Sequence, residues 1–311
     1  MQTIVIALGG NALAPGDQEG TITEQFTHTR ESLAAVVELA GDGWQIAIVH
    51  GNGPQVGNAM LRQEMARASV PPLPLGVLVA GTEGWIGYMI QQSLQNALAR
   101  AGVDRQVVTL ITQVVVDPDD PTLHHPTKPI GRAMDEATAR VVAEQMGWSI
   151  ARSRYGWRRV IASPKPLEIV ESPIIRLLVG QGHLVIAAGG GGTPVCRHPT
   201  LGLEGIDAVI DKDLAAAILA RDIHAQVLMM LTDVECVYRD FGTDRQRPVD
   251  KLTAVEAEAL LADGQLGAGS MAPKVDAALQ FLRNGGQRAV IAGLDQGRLA
   301  VHGQAGTEIV P

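Results

Sequence analysis

Short aliphatic runs alternate along the whole chain with longer stretches in which apolar residues recur every third or fourth position. A brief apolar run bounded by turn residues predicts a strand, and the wider spacing predicts an amphipathic helix. On that reading residues 3–8, 45–50, 107–116, 183–188, 226–231 and 288–292 are strands. Residues 25–40, 88–101, 211–221, 254–262 and 273–284 are helices, the first of them stopped by Gly41. Strands and helices in this alternation predict a mainly parallel sheet covered by helices, an α/β fold.

One segment has a different texture. Residues 117–157 begin with DPDDPTLHHPTKPIG, whose prolines argue against regular structure, and continue with an amphipathic helix over 135–146. The segment reads as an excursion from the main sheet, a small flap or subdomain. Neither an internal repeat nor a low-complexity linker divides the chain, so two lobes, if present, share one sheet.

Composition narrows the class. With 311 residues, 46% of them hydrophobic and 19% charged, the chain can bury a substantial core, built from Val, Ile, Leu, Ala and Met because aromatics are few. A formal net charge of -8 argues against nucleic acid as the main partner, so any anion site must be local. Cys196 and Cys236 form no CxxC pair, and the histidines show no metal-ligand spacing. No signal peptide, anchor or membrane span is visible, which makes a cytoplasmic protein without a membrane partner the expectation.

Candidate chemistry collects after the strands. GGNAL (Gly9 to Leu13), HGNGPQVG (His50 to Gly57) and GGGG (Gly189 to Gly192) each follow a strand directly, where glycine lets backbone N–H groups approach an anion. Each alone is equally well read as a tight strand-to-helix turn. A P-loop and a GxSxG elbow are both absent, and Gly51, Gly53 and Gly57 give a spacing one residue too long for the dinucleotide fingerprint. That leaves a Rossmann oxidoreductase as a weak alternative.

Cations are the sharper signal. The chain has only five lysines against twenty arginines, and four of the five, Lys128, Lys165, Lys212 and Lys274, fall in compact motifs: PTKPIG, SPKP, VIDKD and GSMAPK. An ammonium is a compact, rotatable point charge that fits between phosphates where a planar guanidinium does not. Lys212 stands at a predicted helix start between Asp211 and Asp213, which can cap the helix while orienting the lysine. Lys274 sits in a predicted first turn, where a cation opposes the helix dipole, so solvation alone explains it poorly. Phosphoryl transfer needs positioning and charge neutralisation rather than covalent work, and N–H groups, two lysines and a metal can supply both.

With these motifs in view the chain resembles the carbamate kinases of the amino acid kinase family over essentially its full length. ALGGNAL, HGNGPQVG, PTKPIG, GGGGTPV, AVIDKDLA, LTDV, GSMAPKVDAA and GTEIVP carry the likeness. The resemblance implies a three-layer αβα sandwich with a mainly parallel central sheet and a protruding subdomain near 117–157. It implies an acyl-substrate lobe over residues 1–200, a nucleotide lobe over 201–311, and a homodimer. The implied reaction is reversible phosphoryl transfer between ATP and carbamate, giving ADP and carbamoyl phosphate, with Mg²⁺ bound mainly through the nucleotide phosphates. Gly9, Gly10, Asn11, Gly51, Asn52 and Gly53 would carry the acyl phosphate. Lys212 and Lys274 would hold the transferring group, Asp213 would orient them, and Lys128 would close over the substrate from the subdomain. Thr232, Asp233, Tyr238 and Met271 would contact the nucleotide. Lys165 receives no role beyond a turn. Two departures from the family pattern stand out: Arg152 and Arg154 where acids are usual, and Glu83 where glutamine is usual. A kinase of another small carboxylic acid, or a weakened nucleotide or carbamoyl phosphate sensor, are the competing readings.

Overall fold

The computed structural model describes residues 1–10, 13, 19–153, 156–266 and 271–311, with Arg132 described as backbone only. The chain opens with β1 (Thr3–Leu8), helices α1 (Ile22–Ser32) and α2 (Ala34–Gly41), and β2 (Gln45–His50). Next come α3 (Gly53–Ala66), α4 (Leu75–Arg100), β3 (Val107–Thr109) and β4 (Gln113–Val116). The middle holds β5 (Lys128–Met134), α5 (Glu136–Met146), β6 (Ile150–Ser153) and β7 (Gly156–Ile161). After these run β8 (Pro166–Ile169), α6 (Ser172–Gly180), β9 (Leu184–Ile186), β10 (Thr193–His198) and β11 (Gly202–Gly205). The last part contains α7 (Lys212–Asp222), β12 (Val227–Thr232), β13 (Val237–Arg239), β14 (Arg247–Val249) and β15 (Lys251–Thr253). It closes with α8 (Ala254–Ala262), α9 (Met271–Arg283), β16 (Arg288–Gly293), α10 (Gly297–Val301) and β17 (Thr307–Val310).

Among the described residues the main sheet has eight strands in the order β15-β17-β16-β12-β1-β2-β9-β3. Its pairs are parallel except β16 with β17. A central strand must be apolar on both faces, and β1 is buried at all six positions. Val5 and Ala7 face a core shared with α6, α7 and α9, whereas Ile4, Ile6 and Leu8 face one built on α2 and α4. That two-residue period divides one strand between two helical layers and makes the αβα sandwich. Each fully buried aliphatic side chain stabilises the fold by roughly 1.5–3 kcal/mol. No helix of the described residues is long and apolar enough to cross a membrane.

Three expectations change. Residues 107–116 are two strands rather than one: β3 closes the edge of the main sheet, and after a break β4 enters a separate four-stranded sheet, β11-β10-β4-β8. Helix α4 begins at Leu75 rather than near residue 88, and runs through Gly76, Gly81, Gly84 and Gly87. Gly87 is one of them, and it lets the helix lie directly on the Thr109 side chain of β3. Finally, the prolines after residue 117 do not exclude a strand. Pro129 belongs to β5, which is the edge strand of a three-stranded sheet, β5-β7-β6, where a missing N–H on the outer side costs no ladder bond.

Candidate active site

A cavity of about 300 Å³ opens at the carboxyl ends of β1, β2 and β12. Chain order reverses there, with β2 on one side of β1 and β12 on the other, which is where open parallel sheets hold ligands. Gly9, Gly10, Gly51, Asn52, Gly53, Lys128, Lys212, Asp213, Thr232, Asp233 and Lys274 all line the cavity, drawn together from six segments of the sequence. Asn11 lies outside the described residues. Tyr238, on the β13–β14 hairpin, and Met271, at the first described turn of α9, are not among the residues that line it.

Asp213 organises the cationic wall. Its carboxylate accepts from Lys212 Nζ at 2.6 Å on one oxygen and from Lys274 Nζ at 3.0 Å on the other. Asp213 and Lys274 are each 3% exposed, so both ammoniums are held against one carboxylate away from bulk water. Burial and the neighbouring Lys212 pull the Lys274 pKa down, and Asp213 opposes them. The two lysines come from the starts of α7 and α9, and those helices pack closely against each other.

Lys128 arrives from a different direction. It is the first residue of β5, and its Nζ donates to Ile210 O at 3.0 Å and to Asp211 Oδ2 at 3.2 Å. Asp211 also caps α7, accepting from the Asp213 N–H at 2.9 Å. Burial pushes the Asp211 carboxyl up, but the Lys128 and Lys212 charges and the Asp213 N–H bond outweigh it, and the net direction is down. Its pairing with Lys128 across 83 residues of sequence carries no local signal.

The glycine loops do something other than expected. Gly9 N–H donates to Leu231 O at 2.9 Å and Gly51 N–H to Leu8 O at 3.3 Å, so both continue the sheet ladder rather than form an oxyanion floor. Their contribution is space: a Cβ on Gly51 would lie 3.3 Å from Gly10 Cα and from Lys212 Cδ. The start of α3 also reaches the cavity. Its N-cap, Asn52, makes no side-chain capping bond; Asn52 Nδ2 donates to Thr82 Oγ1 at 2.9 Å, and Gly53 and Pro54 line the cavity. The lining side chains balance formally, with three lysines against Asp211, Asp213 and Asp233. Positive potential for phosphates therefore comes from this helix terminus and from how the lysines are aimed.

The third glycine loop works mainly as a buttress. Gly190 (φ 67) lies against the Asn52 side chain and Gly191 (φ 99) against Ile210 O, the carbonyl that receives Lys128. Any side chain there would strain the left-handed backbone and displace one of those two groups. Beneath the loop lie His50 and Glu83, both 1% exposed and both in contact with Gly189. His50 Nδ1 is 3.0 Å from Gly51 O, and burial pulls the imidazole down to about 4, so the ring is neutral and donates from Nδ1. Glu83 accepts from Thr112 N–H at 2.9 Å and lies 2.9 Å from Thr193 Oγ1. Burial pushes its carboxyl up to about 8 against those hydrogen bonds, so at neutral pH it carries a proton. A protonated glutamate offers one acceptor and one donor, as a glutamine does, which makes this departure from the family pattern chemically conservative.

The remaining sequence candidates lie elsewhere. Lys165 is exposed, and its backbone N–H donates to Asp120 at 3.1 Å, a turn rather than a site. Arg152 is exposed on β6, and Arg154 lies outside the described residues.

Comparison with known proteins identifies the family. Residues 2–293 match the model of the amino acid kinase family. The carbamate kinase of Pyrococcus horikoshii is 43% identical over 313 residues, covering 100% of this chain and 99% of that protein. The carbamate kinase-like protein YahI of Escherichia coli is 41% identical, covering 99% of each. Carbamate kinase from Giardia lamblia bound to AMP-PNP superposes with a TM-score of 0.90 at 37% identity, covering 99% of this chain and 98% of that one.

Proposed function

The chain belongs to the amino acid kinase family and is a kinase, and from that premise we propose that it transfers a phosphoryl group reversibly between ATP and carbamate. In this reading its working direction is the formation of ATP from carbamoyl phosphate and ADP. The observation that carries the proposal is the doubly bonded Asp213 carboxylate, which fixes Lys212 and Lys274 on one wall while Lys128 faces them from β5.

Carbamoyl phosphate offers few atoms for recognition. Its phosphoryl group sits at the uncapped start of α3 and against Gly10, Lys128 covers the acyl end, and the nucleotide approaches past Thr232 and Asp233 toward Tyr238 and Met271. Lys212 and Lys274 then neutralise the equatorial oxygens of the group in flight, where fixed charges contribute most because they need no reorganisation. Mg²⁺, carried on the nucleotide phosphates, would supply further charge neutralisation, since Asp211 and Asp213 are committed to lysines. The same reading places a homodimer in the cytoplasm, in line with the sequence expectations.

Purified protein given ADP, Mg²⁺ and carbamoyl phosphate is expected to form ATP, and Lys128→Ala and Lys212→Ala to lose most of that activity. No ATP above those two controls overturns the proposal. A panel of acyl phosphates run in parallel separates carbamate from another small acid, the question that the resemblance to YahI raises.

A further inference from the structure

A second cavity, of about 310 Å³, lies behind the first, between α3 and the three-stranded sheet. Met60 and Leu61 of α3 form one wall, and Ile130, Met134 and Val142 form the other. Apart from Asn58 on α3, the lining is apolar except at one end, where Trp148 and Arg159 meet with the guanidinium carbon 4.5 Å from the indole centroid. Among the described residues Trp148 Nε1 and Arg159 Nη1 are buried and have no hydrogen-bond partner. Buried donors are rarely left so, because each one costs roughly 1–3 kcal/mol. Glu64, whose charge reaches Arg159, is ion-paired with Arg67 at 3.5 Å, so the end of the cavity keeps a net positive charge.

We propose that this cleft binds a small amphipathic carboxylic acid, its apolar body between α3 and β5 and its carboxylate on Trp148 Nε1 and Arg159 Nη1, and that the bound acid regulates the catalytic cavity. The volume is at the low end of small-molecule sites, about 300–1,000 Å³, which suits a single-ring or branched acid. Coupling follows from shared walls. Helix α3 lines the catalytic cavity with Gly53 and Pro54 and the cleft with Met60 and Leu61. Strand β5 does the same with Lys128 at its start and Met134 at its end. Gly57 and Gly131, which both line the cleft, leave no room for a Cβ on Gly57, so α3 and β5 approach backbone to backbone there, at a point about which they would part. An acid that bridges both walls holds β5 where Lys128 reaches Asp211, so it selects the substrate-ready arrangement.

The test uses the full chain and benzoate, with benzamide as the uncharged control. Calorimetry is expected to show benzoate binding at least about tenfold more tightly than benzamide. Trp148→Phe and Arg159→Leu should each abolish that preference, and Leu61→Trp, which fills the cleft from α3, should abolish binding even where Arg159→Leu fails to fold. Lys212→Ala should leave binding intact. Binding lost in Lys212→Ala but kept in Leu61→Trp places the acid in the catalytic cavity and overturns the proposal, as does the absence of saturable binding. The regulatory half rests on the kinase reading. Saturating benzoate should lower KM for carbamoyl phosphate about fivefold or more, within the usual range of such couplings. Binding with KM unchanged overturns the coupling alone, and a protein that binds benzoate yet makes no ATP separates failure of the kinase reading from failure of this one.

Discussion

The two walls of the catalytic cavity hold their cations in opposite ways. On the sheet side, Lys212 and Lys274 share one carboxylate that is 3% exposed, and both start helices packed into the main core. On the other side, Lys128 stands at the edge of a small sheet and bonds to a part-exposed aspartate and a backbone carbonyl. The first arrangement is preorganised by burial, so its charges need not move during reaction. The second is delivered by an element that joins the body through α3, and its partner bonds are ones that water can replace. One wall fixes charge, and the other brings it.

Removing Asp213 should break the fixed wall outright. Asp213→Asn keeps the shape but leaves two ammoniums facing each other, with Lys274 already pulled down by burial and by Lys212. ATP formation from carbamoyl phosphate is expected to fall by about 10²–10³ in kcat. A loss of this size should deepen as pH rises, because Lys274 sheds its proton once its counter-charge is gone. Steady-state rates across pH 6–9 check both; a kcat within about threefold of the parent throughout shows that the carboxylate is not what holds the lysines.

A gentler cut distinguishes the delivered lysine. Asp211→Asn keeps the helix cap, since asparagine caps as well as aspartate, and removes the charge that Lys128 bonds directly and that Lys212 and Lys274 feel at a distance. Ile210 O still receives the ammonium and the amide oxygen can still accept, so KM for carbamoyl phosphate should rise roughly fivefold to tenfold, less than the full worth of a charge-assisted hydrogen bond, with kcat little changed. A drop in kcat with KM unchanged assigns Asp211 to the fixed wall and erases the distinction drawn above.

The fixed wall was also the more legible of the two. VIDKD states the N-cap, the lysine and its carboxylate within consecutive positions, and a lysine in the first turn of α9 invites a counter-charge because the dipole disfavours it there. The central strands were legible for a similar reason: unbroken aliphatic runs such as residues 3–8 belong only in the middle of a sheet. What the delivered wall needs is distributed. Lys128 and Asp211 are 83 residues apart, and β5 looked like a loop because Pro129 breaks strand propensity without breaking an edge strand. The run 107–116 hid its division because an apolar stretch looks alike in either sheet, and only Thr112, whose hydroxyl accepts from the Ala188 N–H at 2.9 Å and donates to Leu110 O at 3.0 Å, marks the break. The glycines announced close approach, yet no pattern in sequence separates an N–H that faces a ligand from one that continues a ladder.

The smallest expected effect on rate belongs to the floor beneath the fixed wall. Glu83→Gln should leave kcat within about twofold at pH 7, because the protonated carboxyl already offers the donor and acceptor of an amide. Stability tells them apart. Glu83 is raised from 4.5 to about 8 by burial, so between those values the unfolded chain releases a proton that the folded chain keeps. Stability of the parent therefore declines as pH rises through that window, and it is at its best below it. Glutamine does not titrate, so the variant should gain on the parent by roughly 2–4 kcal/mol between pH 5.5 and 8.5, read by chemical denaturation. His50, which is lowered to about 4, titrates in both proteins and cancels from the difference. If the two denaturation midpoints instead move in parallel across that range, Glu83 is ionised in the fold, and the glycine loop that seats Asn52 rests on a charge rather than on a neutral hydrogen-bonded pair.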